Sequence, residues 1–502
     1  MKRRAFISVY DKSGLIDFAK NLVEKFDYEI VASGDTYEVL NSADIAVINS
    51  MEFSSAGGFL SKDFSALSET ILAGILANSS DTRELNEIER LAIKPFDLVV
   101  VNLCPIEKLE NQYDGDVFEI IKHADIVGCT VLRAAAKNYK NVTVICDKAD
   151  YILAMNANEF GRARLAAKAF NATSLYDKFV CEKLSEPNGG ELFKTYNLEK
   201  IKDLPHGENH HQKASIYKSD NIIDYDVLYE KELSYNNVMD ITVALDIVSE
   251  FFDVNCTAII RHSKPCGVAL GRSLYDSYTK AFDCDPVSSF YGVVGFSKSV
   301  DSEVAKHLNS MAVEVVVAPD FDEDALELFQ DNPEIKLVKL NTTLQEYRQM
   351  AVEDVIMTPF GVLVQEKNRS ELDKDSFKVV TREKPTPEQI EDAVFAWKVV
   401  KYAKTNSAVI ARDFKTTAIS QGQTNALSAV DAALDYACDN AKGAVLASDA
   451  VLQSEDCIYQ AVQNRISVII QPGGSVKDQK LIETCDEYGI AMITTGIRNF
   501  SQ

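Results

Sequence analysis

The chain is short of positive charge. Its 502 residues carry 52 Lys and Arg against 76 Asp and Glu, so 52 − 76 gives a net charge of −24 with histidine neutral. A chain this acidic lacks the basic footprint that non-specific nucleic-acid or anionic-membrane binding needs. An anionic metabolite would have to be met by a few local Lys, Arg and backbone N–H groups against the overall field. No apolar run approaches the ~18 residues of a spanning helix. Met1-Lys2-Arg3-Arg4-Ala5-Phe6 leads straight into a strand-like run, so no signal peptide is expected. The ten cysteines are spread singly from Cys104 to Cys485, and none forms a C-x-x-C pair. That spacing predicts reduced thiols, mostly core filler, in a cytoplasmic protein. There is no short repeat and no low-complexity tract.

What is present is an ordinary globular composition, 46% hydrophobic and 25% charged, with length for about three domains. Ala5–Tyr10, Asp97–Leu103, Val142–Cys146, Thr257–Arg261, Val313–Ala318, Ala408–Ala411 and Ile466–Gln471 are short, β-branched and continuously apolar. Continuous rather than alternating runs predict strands covered on both faces. Amphipathic helices lie between them. Leu15, Phe18, Ala19, Leu22, Val23 and Phe26 share one face, with Ser13 expected as the N-cap. Pro385–Tyr402 reads as another helix and carries the single tryptophan, Trp397. The alternation predicts an α/β protein. Pro187-Asn188-Gly189-Gly190, a polar helix-like piece and Pro205-His206-Gly207 mark a boundary. The expected domains are 1–198 and 199–502, the second divided near residue 370 into lobes of about 199–370 and 371–502.

Six stretches, grouped into four sites, carry candidate chemistry. Ser8-Val9-Tyr10-Asp11-Lys12-Ser13-Gly14 ends a strand and opens a helix, where free N–H groups attract phosphate. Ala32-Ser33-Gly34-Asp35-Thr36 is a second strand-to-turn, and the two loops could close round one phosphate. Neither is a G-x-G-x-x-G or a P-loop, so ordinary strand–turn–helix units remain an open reading. His206-Gly207-Glu208-Asn209-His210-His211-Gln212 holds three of the six histidines. Its H-x-E opening with Pro265-Cys266 is like a zinc-deaminase signature, but Gly267-Val268-Ala269 supplies no second cysteine, and no metal is expected. Ile260-Arg261-His262-Ser263-Lys264-Pro265 delivers a histidine to a strand end, where it would be either a general base or a simple cap. Gln471-Pro472-Gly473-Gly474-Ser475 follows another strand, and its backbone N–H groups suit an anion. Thr495-Gly496-Ile497-Arg498 offers a further cation.

Taken in order, these stretches resemble the bifunctional purine-synthesis family that joins an inosine monophosphate cyclohydrolase to a transformylase. The likeness runs nearly end to end. It is carried by Ile7–Gly14, Val99–Leu103, Leu132–Asn138, Gly207-Glu208-Asn209 with His211-Gln212-Lys213, and Ser234–Asn237. It continues through Asp285-Pro286-Val287-Ser288, Phe395–Lys401, Val445–Ala450, Gln471–Ser475 and Thr495–Arg498. The resemblance implies a methylglyoxal-synthase-like α/β domain followed by two deaminase-like α/β lobes without zinc. It implies a homodimer with a nucleotide substrate shared across its interface. Its co-substrate would be 10-formyltetrahydrofolate, with no metal, no nucleic acid and no membrane. In the transformylase step the substrate's 5-amino group attacks the formyl carbon, a base takes a proton, and donors hold the oxyanion. Carried over, His262 is the base, with Arg261 and Asn406 as its electrostatic partners, and Arg498 binds phosphate. Gln471, Pro472 and Gly473 fall in the folate region. Asn209, Tyr235, Asn236, Asp285 and Ser288 fall on substrate positions. In the first domain Ser8, Lys12, Ser33, Gly34 and Thr36 would hold phosphate, with Asp125 and Lys137 catalytic.

The departures are as informative. The family's transformylase lysine is Arg261, which stays charged and cannot relay a proton. Pro205-His206 replaces an Arg-Tyr, His210 a proline, and Asn425-Ala426 a Ser-Arg. Val451-Leu452-Gln453-Ser454 replaces the Phe-Phe-Pro-Phe loop, and Tyr291 stands where the family has glycine. In the first domain the arginine, catalytic lysine and two histidines of one family block are lost across Ser61–Leu72, where Asp63 and Ser65 stand. A tyrosine is Cys104, and Asp35 replaces a phosphate-loop glycine. Each acid ~4–6 Å from a phosphate costs on the order of 1–3 kcal/mol at intermediate dielectric. The expectation is a transformylase with the cyclohydrolase step impaired or lost. The alternatives are a non-catalytic nucleotide-binding or regulatory paralogue, or a related transfer to another substrate.

Overall fold

The structure is a computed structural model and describes residues 2–53, 64–78, 80–188, 192–219, 222–350, 352–372 and 377–502. Asp63 and the Gly189-Gly190 pair lie outside the described residues. The fold is mixed α/β with parallel sheets. Two compact units divide it, Met1–Asn197 and Leu198–Gln502.

The first unit is built on β1 (Arg3–Val9), β2 (Tyr28–Ala32), β3 (Val47–Asn49), β4 (Leu98–Asn102) and β5 (Thr143–Ile145). All pair in parallel, in the order β3-β2-β1-β4-β5. Alternate residues of β1 explain why its apolar run is continuous. Ala5, Ile7 and Val9 enter the core that holds Leu15, Phe18 and Leu22, whereas Phe6 enters a second core with Val131, Leu132 and Val144. Helix α1 (Leu15–Phe26) buries its predicted face, but Ser13 is not its cap. Gly14 takes the cap position in a left-handed conformation (φ 71°), and the Ser13 hydroxyl donates instead to Asp11 at 2.6 Å.

In the second unit the polar piece expected to be helical is strand β6 (Glu199–Leu204), paired with β7 (Ala214–Lys218). Its sequence, Glu-Lys-Ile-Lys-Asp-Leu, has no two-residue alternation, and it is a strand through its pairing with β7, from Glu199 opposite Lys218 to Leu204 opposite Ala214. The main sheet has twelve strands. Its first half is β8 (Tyr225–Val227), β9 (Asn255–Arg261), β10 (Lys264–Gly271), β11 (Val293–Phe296), β12 (Val315–Ala318) and β13 (Lys336–Leu340). A separate hairpin, β14 (Glu353–Thr358) and β15 (Gly361–Glu366), precedes the second half. That half is β16 (Lys378–Val379), β17 (Ala408–Arg412), β18 (Lys415–Ser420), β19 (Val445–Ser448), β20 (Val468–Gln471) and β21 (Ala491–Thr494).

The order β16-β21-β20-β19-β17-β18-β10-β9-β11-β12-β13-β8 reads the same from both ends in pairing type. In each half a short antiparallel edge strand, three parallel strands and an antiparallel hairpin follow one another. The two hairpins join through β10 and β18. This is an internal structural repeat. One face carries a single core shared by both halves, where the helices Tyr235–Ser249 and Pro387–Val400 contribute Ala244, Ile247, Phe395 and Trp397. The opposite face carries two separate cores, one per half.

Candidate active site

In the first unit the crevice lies beyond the carboxyl ends of β1, β2 and β4, where sheets of this kind reverse their strand order. The loop after β1 is braced by Asn102, whose Oδ1 accepts from Tyr10 N (2.6 Å) and Asp11 N (2.8 Å). The structure brings Ser8, Ser33, Gly34 and Thr36 together, but it also pairs them off. The Ser33 hydroxyl donates to Ser8 Oγ at 2.8 Å. Thr36 is buried, and its hydroxyl accepts from Val9 N (3.0 Å) and donates to Val9 O (3.2 Å). Thr36 therefore clamps β1 to the next helix and offers no free hydroxyl to a ligand. Lys12 lines a shallow cavity of about 660 Å³ together with Asp35 and Glu38.

Asp125 reaches the same crevice at the N-cap of the helix Ile126–Lys137, accepting from Gly128 N at 2.6 Å. Burial pushes its carboxyl up, and the Gly128 amide pulls it partly back. Burial also pushes up the neighbouring Cys104 thiol, and the Asp125 charge adds to this. Lys137 is in the last turn of that same helix, ~18 Å along the axis at 1.5 Å per residue. The helix separates the two carried-over catalytic groups instead of joining them. Ser65 is fully buried, its hydroxyl 2.7 Å from that of Ser50.

In the second unit most of the candidate residues converge on one end of the twelve-stranded sheet. Strand directions place there the β9–β10 turn, the start of β17, and the carboxyl ends of β18 through β21. Arg261 pairs with Lys264, leaving His262 and Ser263 as the two turn residues, with φ of 53° and 57°. Two positive-φ residues between paired strands is the geometry of a mirror-image hairpin turn. His262 is exposed at its tip. The Arg261 guanidinium donates to the carbonyl of Tyr291. Tyr291 is itself left-handed (φ 54°) and 62% exposed. Asp285 Oδ1 accepts from Ser288 N at 2.9 Å, and the Ser288 carbonyl lies 3.8 Å from the Cys266 thiol of β10.

Asn406 is held by Gln423, whose carbonyl accepts from Asn406 N (3.0 Å) and Nδ2 (3.1 Å). Gln421 links this segment to the hairpin by donating from Nε2 to Pro265 O at 3.1 Å. The segment after Arg498 is tied in as well, since Ser501 N donates to Thr405 Oγ1 at 2.9 Å. Arg498 is exposed, its guanidinium 4.4 Å from the Phe500 ring centroid. Asn209 stands further out, with Asn209 N and Nδ2 both donating to Gln212 Oε1 at 2.9 Å. Asn236 reaches that loop by donating to Glu208 O at 3.3 Å, and Tyr235 begins the same helix.

In the Gln471–Ser475 turn the structure shows two groups bonded within the chain. The Gln471 side chain is fully buried and braces the following loop, its Oε1 accepting from Leu452 N at 2.9 Å. Of the turn's amides, Gly474 N already donates to a carboxylate of this chain, Asp478 Oδ2, at 2.7 Å. Pro472 is buried, and a Cβ on Gly473 would come 2.9 Å from Thr494 Cγ2. Sequence reading also missed two groups. One is the network in which Asn237 Nδ2 donates to Glu314 Oε1 (2.8 Å) and Lys336 Nζ donates to Asn237 Oδ1 (2.8 Å). An acid inside the apolar run Val313–Ala318 was its signal. The other is Asp240, described below.

A further cavity of about 240 Å³ is lined by Glu250, Arg348, Trp397 and Lys401. Its charges satisfy one another: Lys401 and Arg348 both pair with Glu250, which also accepts from the Tyr402 hydroxyl at 2.7 Å. Among the described residues no group of His, Cys, Asp or Glu is placed to hold a metal ion. None of their helices is long and apolar enough to cross a membrane.

A family model described as AICARFT/IMPCHase bienzyme matches residues 135–436. The chain is 40% identical over 517 residues to the bifunctional purine biosynthesis protein PurH of Caldicellulosiruptor saccharolyticus, covering 100% of both chains. It is likewise 38% identical over 515 residues to that of Acetivibrio thermocellus and 41% over 512 residues to that of Clostridium botulinum, again at 100% coverage. The chain belongs to the AICARFT/IMPCHase bienzyme family. A solved structure titled crystal structure of ForH is 27% identical over 37% of this chain and all of its own, but its TM-score of 0.32 is too low to extend the fold comparison.

Proposed function

We propose that the chain transfers the formyl group of 10-formyltetrahydrofolate to the 5-amino group of aminoimidazole carboxamide ribotide, with the cyclohydrolase step impaired or lost. His262 takes the amine proton. Asn406 and one face of the Arg261 guanidinium stabilise the oxyanion, and Arg498 meets the ribotide phosphate. Arg261 donates to the Tyr291 carbonyl through one N–H, and its remaining donors suit a developing negative charge. The observation that carries this reading is an exposed imidazole on a fixed two-residue turn, at the same sheet end as Asn406 and Arg498.

In this reading residues 1–198 form the methylglyoxal-synthase-like, cyclohydrolase-like domain. Residues 199–502 form the formyltransferase-like domain, its lobes about 199–370 and 371–502. The working form is a cytoplasmic homodimer. What supports a dimer is the β14–β15 arm, where Met357, Phe360 and Leu363 are exposed beyond any packing of their own unit. A lone two-stranded hairpin is marginal in water. Phe360→Asp should therefore give monomer in sedimentation; a dimer unaffected by it removes the arm from the interface.

The functional test is turnover of the purified protein with both substrates, run beside His262→Ala. Formyl transfer by the parent and its loss in the variant are expected. Turnover that survives the substitution rules out His262 as the base. A parent that binds ribotide without turnover leaves only the nucleotide-binding reading.

A further inference from the structure

The two hairpins at the centre of the sheet are built alike but stand at opposite ends of it. In the first half His262 and Ser263 form the turn; in the second half Asp413 and Phe414 do, both at φ 55°. The flanking pairs are Arg261 with Lys264 and Arg412 with Lys415. None of the four turn residues is glycine, and each left-handed L-residue costs roughly 1–2 kcal/mol. Such turns need holding from outside. Each is held by one buried aspartate on the helix that precedes its hairpin. Asp392 accepts from Asp413 N through Oδ2 (2.9 Å) and from Phe414 N through Oδ1 (2.8 Å). Asp240 Oδ1 accepts from Ser263 N at 2.5 Å, and the carboxylate also takes the His262 amide. Both carboxylates are more than nine-tenths buried.

The clamps differ in what they hold. Asp392 fixes a turn whose tip carries no candidate group. Asp240 fixes the turn that carries the imidazole, and with the Gln421 bond to Pro265 O it sets the ring's place relative to Asn406. We propose that Asp240 is a positioning residue for formyl transfer, fixing the backbone of His262 so that its imidazole meets the substrate amine. This deepens the assignment of His262 as base and rests on it. Burial pushes both carboxyls up, and the turn amides pull them back, so the two sites also match in electrostatic character.

The repeat supplies its own control. Asp240→Asn and Asp392→Asn each replace one of two amide-accepting oxygens by a donor, at equivalent points of the two halves. Kinetic constants and thermal stability are measured for both in the full chain, with His262→Ala alongside. The expected result is a similar loss of stability in the two variants. In Asp240→Asn alone, kcat should fall about tenfold to a hundredfold, as a displacement of order 1 Å does, with KM for both substrates within about twofold. Asp392→Asn should keep kcat within about twofold. Equal kcat in the two variants while His262→Ala is inactive overturns the proposal and leaves the base intact. Full turnover in His262→Ala overturns the base itself. A rise in KM at constant kcat for Asp240→Asn assigns it to binding and also overturns the proposal.

Discussion

The crevice of the first unit and the hairpin end of the second divide their polar groups in opposite ways. In the crevice the candidate ligands satisfy one another: Ser33 bonds Ser8, Thr36 bonds Val9, and Asp125 caps its own helix. Lys12 shares its cavity with two acids. At the hairpin end the support and the supported are different residues. Asp240, Gln421 and Gln423 take up backbone groups, and the His262 imidazole stays exposed. A side chain whose bonding capacity is used internally has little to offer a ligand, because exchanging one hydrogen bond for another gains only ~1 kcal/mol. Family membership is a property of the whole chain; competence is a property of spare valences at one site.

Replacing Asn406 is the strongest way to break this contrast after His262 itself. If its amide is an oxyanion donor, Asn406→Ala should lower kcat by ~10²–10³-fold, as removal of such a donor does elsewhere. Unchanged kcat in steady-state assays would show that Asn406 only ties its segment to Gln423, and the hairpin end would then resemble the crevice.

The crevice can be tested from the other side by giving it back a spare cation. Asp35→Asn removes one acid beside Lys12, in the first turn of its helix. Affinity for inosine monophosphate in calorimetry should rise about tenfold, from the ~1–3 kcal/mol that one acid costs near a phosphate. Lys12→Ala in that background should abolish the gain. Affinity that ignores both substitutions would mean that the crevice no longer meets phosphate at all.

Much of this was legible beforehand, for reasons that differ by element. Val99–Val101 and Val315–Val317 announce buried strands because a run without polar breaks fits only a sheet covered on both faces. The repeat was not legible, since the β10–β18 junction joins residues such as Ala269 and Lys415 that no local pattern links. A faint trace exists: Asp240 precedes Arg261 by 21 residues and Asp392 precedes Arg412 by 20, each in a helix before an Arg-x-x-Lys turn. The family resemblance is what singles out His262 and Asn406 as candidates. It could not show that Gln471 points into the core or that Asp478 fills its own turn, because those depend on side-chain direction.

The sheets also differ in what acid does to them. In the first unit Arg4 Nε donates to Glu29 Oε2 at 2.7 Å. Burial pushes the Glu29 carboxyl up, but Arg4 and then Lys94 outweigh it and hold the group below its usual range. A depressed carboxyl stabilises above its unfolded value of ~4.3 and loses that contribution as pH falls through the folded value. Asp240 and Asp392 run the other way, since a raised carboxyl favours the fold as pH falls. Glu29→Gln leaves the buried Arg4 under-paired and should cost ~1–3 kcal/mol at pH 7. The gap to the parent should close below about pH 4 in denaturant titrations. A gap independent of pH would assign the loss to packing.

The smallest effect expected belongs to Tyr291. Its φ of 54° is a region that glycine enters freely and tyrosine enters at a cost of roughly 1–2 kcal/mol. The side chain is 62% exposed, so it recovers little of that by burial. Its amide donates to Ala312 O at 2.6 Å and its carbonyl accepts from Arg261, and a glycine would keep both bonds. Against the relief stands the wider unfolded ensemble of glycine, which costs ~0.5–1 kcal/mol. The balance predicts that Tyr291→Gly stabilises the second unit by about 0.5–1 kcal/mol in urea denaturation. It also removes bulk beside Arg261 at the hairpin end, so KM for the ribotide should fall while kcat holds. Loss of stability would mean that the ring is packed in solution, and a lower kcat that it touches the substrate. Either result would move Tyr291 from an intruder at the mouth of the site to one of its working parts.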